Sequence, residues 1–63
     1  MSENLNMSVR KFLKEVGVTS QQIIEKEWYK KNFPSDRKIQ VEMTLIIKDL
    51  DIKHIVSGEI GGA

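Results

Sequence analysis

His54 is the only imidazole in the chain, and there is no cysteine. A metal site would therefore need carboxylates converging on that one ring. Asp49, Asp51 and Glu42 are not spaced to converge on it with any specificity. Ser57-Gly58 offers a hydroxyl with no base partner and none of the nucleophile-elbow sequence that would expose it for attack. The glycines of GEIGGA, residues 58–63, lack the strand-loop-helix setting in which backbone amides cradle a phosphate. No catalytic, metal-binding or cofactor-binding residue is expected, and no small-molecule substrate is implied. Surfaces are what remain.

Ten basic residues against nine acidic ones leave a formal charge of +1, so no long-range field of either sign draws the chain to a polyanion. Basic residues do cluster locally, at Arg10, Lys11 and Lys14 and again at Lys30, Lys31, Arg37 and Lys38. At 63 residues there is room for one domain, residues 1–63, with 1–5 and 61–63 expected to fray. A chain this short buries only ~60% of the surface its unfolded form exposes, which makes burial by self-association valuable. No apolar run approaches the ~20 residues that span a bilayer, and no apolar stretch follows a basic head at the N-terminus. The expectation is a soluble cytoplasmic protein with no membrane partner, and the missing cysteines fit a reducing compartment.

Two helices are predicted before Pro34. Leu5, Val9, Phe12, Leu13 and Val16 recur at the spacing of one helix face, with Arg10, Lys11, Lys14 and Glu15 on the other. Asn6 is a candidate N-cap, with Ser2 and Ser8 as alternatives. Gly17 stands where a helix C-terminus needs a residue tolerant of positive φ. Thr19-Ser20-Gln21-Gln22 then matches a capping box, and Val18 and Ile23 fall at the positions of a hydrophobic staple. The second helix is predicted over about residues 20–32, ending before Pro34.

From Lys38 the apolar period changes to two: Ile39, Val41, Met43, Leu45 and Ile47 alternate with Lys38, Gln40, Glu42 and Thr44. A second run at Ile52, His54, Val56 and Ile60 follows a KDLD turn. With Lys48 facing Asp51, Ile47 meets Ile52, Met43 meets Val56 and Ile39 meets Ile60, so every apolar pair shares a face, and such a pattern specifies register strongly. His54, on that face, is expected to be half-buried. The predicted fold is α+β in the order ααββ, a helical hairpin packed on one face of a C-terminal antiparallel β-hairpin.

Two functional readings from different classes follow. In the first the protein is a non-enzymatic protein-interaction module, self-associating through the β-hairpin into a homodimer. Both strands are edges, and Ile46 and Ile55 point away from the core face, so these two, with an exposed Tyr29, form the candidate partner interface. In the second the helical pair around Gly17 is a small helix-turn-helix-like nucleic-acid binder, with Ser20, Gln21, Tyr29 and Lys30 on its nucleic-acid face. Leu13 at a position wanting a small residue, the negative Glu25 and Glu27 and the near-neutral chain weigh against it.

The segments NMSVRKFLKEVGVTSQ and VEMTLIIKDLDIKHIVSGEI resemble a family of very short uncharacterised bacterial proteins of unknown function. Its members look alike in an N-M-S-[IV]-R-K-F-L-K-x-V-G-V-x-S-Q opening and a closing T-L-x-I … G-E-I stretch. The chain departs from them at EWYKKNFPSDRK, where the resemblance implies a longer, more alanine-rich helix and connector. It implies no activity, cofactor or catalytic residue.

Overall fold

A computed structural model describes residues 3–62, which divide between Phe33 and Pro34 into two compact units. The elements run α1 (Glu3–Lys30), β1 (Lys38–Ile47), a short 3-10 turn (Lys48–Leu50) and β2 (Ile52–Gly61). The class is α+β. Where two helices are predicted, the first unit has one helix of 28 residues.

The continuity of α1 corrects the helical hairpin and has a local cause. Gly17 lies within the helix at negative φ, at a cost of ~1 kcal/mol relative to alanine, which the well-formed turns on either side offset. Thr19 does not cap a new helix. Its Oγ1 donates back to the Glu15 carbonyl at 2.8 Å and lies 3.4 Å from that of Val16, the interior mode open to threonine. Gln21 Nε2 donates to Glu25 Oε2 at 3.1 Å one turn on, a pairing of exposed helix surfaces. Asn6 and Ser8 likewise sit inside α1, with Ser8 Oγ donating to the Leu5 carbonyl at 3.0 Å. Ser2, the other N-cap candidate, lies outside the described residues. The apolar stripe also keeps phase across Gly17, because Val16, Ser20, Ile24 and Trp28 follow one another at four-residue steps and are the half-buried positions of the helix.

The C-terminus of α1 closes by a Schellman motif. Asn32 takes the left-handed conformation with φ 56°, its N–H donates to the Tyr29 carbonyl at 3.0 Å, and the Phe33 N–H donates to the Trp28 carbonyl at 3.2 Å. Asparagine is the common alternative to glycine there. The apolar contact that accompanies such a motif is present as an edge-to-face pair of Trp28 and Phe33, ring centroids 5.6 Å apart and planes at 83°. Pro34 then bars further helix, and the Arg37 N–H donates to the Pro34 carbonyl at 3.1 Å to turn the chain into β1.

In the second unit β1 and β2 form a two-stranded antiparallel sheet. Its register is the one predicted: Ile47 faces Ile52, Met43 faces Val56 and Ile39 faces Ile60. The turn is a four-residue loop, closed by the Asp51 N–H on the Lys48 carbonyl at 3.1 Å with Asp51 left-handed at φ 53°. No Asn-Gly or Asp-Gly pair is needed, since aspartate tolerates that conformation. Of the ends expected to fray, Glu3–Leu5 fall within α1 and Gly61 within β2, and Ala63 lies outside the described residues. The Gly62 N–H donates to the Ser35 carbonyl at 3.1 Å, tying the end of β2 to the turn before β1.

Gly62 has φ 83°, and a Cβ there would stand 2.8 Å from Lys38 Cγ. Gly62→Ala is expected to destabilise the hairpin by about 1–2 kcal/mol, the cost of a side chain in left-handed backbone. A denaturation midpoint equal to wild type would show that this tie carries no stability.

Candidate interaction surfaces

Neither unit buries a side chain: among the described residues the core is empty. In its place are two exposed apolar surfaces, each set by the period of its element. On α1 the stripe comprises Leu5, Val9, Phe12, Leu13 and Ile23, all exposed, with Phe12 at 53% and Ile23 at 64%, together with the half-buried Val16. At ~100° per residue these six fall within about 100° of one another around the axis, so the helix is amphipathic along its length.

On the hairpin, alternation puts Ile39, Val41, Met43, Leu45 and Ile47 of β1 on one face with Ile52, His54, Val56, Gly58 and Ile60 of β2. Ile39, Val41, Leu45, Ile47 and Ile60 are half-buried there. His54 is exposed opposite Leu45, against the expectation of a half-buried ring. A two-stranded sheet has too few neighbours to cover it.

The opposite face of the hairpin carries the candidate interface residues. Ile46 sits across from Lys53 and is 62% exposed; Ile55 sits across from Thr44 and is 49% exposed. The two are diagonal neighbours, ~7–8 Å apart in this kind of ladder and within reach of each other's branched side chains. The rest of the face is polar, with Gln40 Nε2 donating to Glu59 Oε2 across the strands at 3.0 Å. Tyr29, the third candidate, belongs to the other unit, where it is 75% exposed.

The alternative nucleic-acid residues do not form one surface on a continuous helix. Measured from Ser20, the directions of Gln21, Tyr29 and Lys30 lie at about 100°, 180° and 280° around the axis. Ser20 lies on the half-buried line, and Gln21 is engaged with Glu25. The turn that would set a recognition helix at an angle to its partner is replaced by helix at Gly17.

Surface depressions occur on α1, lined by Phe12 and Val18 among others, and at the turn end of the hairpin beside Ile46 and Ile52; both are open to solvent. Among the described residues no group of three or more His, Asp or Glu side chains could hold a metal ion, and no helix is long and apolar enough to cross a membrane. Sequence reading missed the Trp28–Phe33 pair, because the two sit five apart and meet only through the reversal at Asn32. It also passed over Leu50, 64% exposed at the hairpin tip.

The model of the "Family of unknown function (DUF6494)" matches residues 1–63. The chain belongs to that family. No curated protein and no solved structure matches it. The family description names no activity, so the surfaces above are the physical basis for a functional reading.

Proposed function

We propose that this family member is a non-enzymatic protein-interaction module that self-associates through its β-hairpin. The observation that carries the reading is that an apolar helix stripe and an apolar sheet face exist without one buried side chain among the described residues. Contiguous exposed apolar surface of this kind marks interaction sites in soluble proteins, and an isolated two-stranded hairpin is marginal in water. A second chain adds strands and buries apolar area at once. The absence of cysteine supports a cytoplasmic setting for such an assembly.

Sedimentation velocity across a hundredfold range of concentration tests this. A dimer that dissociates on dilution is expected, and Ile46→Lys and Ile55→Lys are each expected to give monomers with the far-ultraviolet spectrum retained. A wild-type chain that stays monomeric at every concentration would remove the proposal. Titration with mixed-sequence duplex DNA at low salt is expected to give no binding with the steep salt dependence of phosphate contacts.

A further inference from the structure

We propose that the self-association surface is the outer edge of β2, paired antiparallel with β2 of a second copy about a two-fold axis at Val56. The inference rests on the reading of self-association just given and names the strand and register that it uses. β2 is hydrogen-bonded to β1 on one side, and its other edge presents a ladder of backbone donors and acceptors. An edge of β1 on an edge of β2 would repeat without closing, whereas like on like closes as a dimer.

A two-fold axis through a residue keeps odd positions opposite odd ones, so the apolar face of one hairpin continues into that of the other. Charge then selects among registers. With the axis at Val56, β2 pairs from Ile52 to Ile60, Ile52 stands opposite the second copy's Ile60, and Lys53 stands opposite its Glu59, twice by symmetry. Shifting the axis to Ser57 sets Ile55 against Glu59 and leaves Lys53 facing Gly61. The two longest pairings of β1 with itself are worse. An axis at Glu42 opposes Glu42 to its own copy, and an axis at Met43 pairs Ile39 through Ile47 with no unlike charges opposed. Like charges directly opposed destabilise a ladder and unlike ones stabilise it.

The same register accounts for the two isoleucines on the polar face. Ile55 lies opposite Ser57 of the second copy and diagonal to its Ile55, while within each hairpin Ile55 is diagonal to Ile46. Ile46, Ile55 and their two copies then run as one apolar row across the axis, where side chains now 62% and 49% exposed gain apolar neighbours. On the other face four strands present a single apolar surface.

Charge reversal tests the register by analytical ultracentrifugation. Lys53→Glu opposes Glu to Glu twice and Glu59→Lys opposes Lys to Lys twice, so each variant alone is expected to raise the dimer Kd about tenfold or more. An equimolar mixture of the two is expected to dimerise like wild type, because one chain then carries two glutamates opposite two lysines. The double variant Lys53→Glu/Glu59→Lys is expected to do the same. In a chain without cysteine, Val56→Cys is expected to cross-link to itself on oxidation and Ile60→Cys to remain uncross-linked. A dimer whose Kd ignores both single reversals, or a mixture with no recovery, would overturn the β2 register while leaving self-association standing. A monomeric wild type would remove both.

Discussion

Gly17→Pro is expected to cost about 3 kcal/mol or more and to remove a large part of the helical circular dichroism, whereas Gly17→Ala is expected to add up to about 1 kcal/mol. The two variants have opposite signs because of where Gly17 lies. Within α1 its φ is negative, so it gains nothing from lacking a side chain, and a Cβ there meets nothing within 4 Å. Alanine then only restricts the unfolded chain and improves helix propensity. Proline would remove the N–H that bonds the Leu13 carbonyl and press its ring on that turn. A glycine closing a first helix in left-handed backbone would behave otherwise, since alanine would then be strained by ~1–2 kcal/mol. Urea denaturation followed at 222 nm distinguishes the cases, and a destabilised Gly17→Ala would contradict the continuous helix.

Leu45→Lys is expected to destabilise the chain by about 1–2 kcal/mol, and Thr44→Lys, one residue earlier, to be nearly neutral. Leu45 is half-buried on the apolar face opposite His54, and Thr44 lies on the other face opposite Ile55. The same cation at adjacent positions therefore reads out the parity of β1. Lysine at position 45 gives up the apolar burial of leucine, while at position 44 it joins a face that already carries Lys38 and Lys53. The thermal midpoints of the two proteins check this. Equal midpoints would mean that the half-buried face of β1 is not the one carrying Leu45.

The β-hairpin was legible in the sequence because a period of two leaves little choice. Slipping β1 by one residue would turn Ile39, Val41, Met43, Leu45 and Ile47 outward together, so the register with Ile52, Val56 and Ile60 follows from the letters alone, and so does the placement of Ile46 and Ile55 on the far face. Membership of a family of unknown function was legible too. The break at Gly17 was not. Threonine, serine and glutamine bond to backbone or neighbouring side chains at a helix start and also within a helix, and the alternatives differ by ~1 kcal/mol per residue, so the local signal is degenerate. What decides is the whole span: turns on both sides of Gly17 keep the stripe in phase through Val16, Ser20 and Ile24, and one long helix avoids the extra unsatisfied termini of two short ones. That continuity also scatters Ser20, Gln21, Tyr29 and Lys30 around the axis. The three-dimensional structure alone paired Trp28 with Phe33, since only the left-handed Asn32 folds the chain back far enough for the rings to meet.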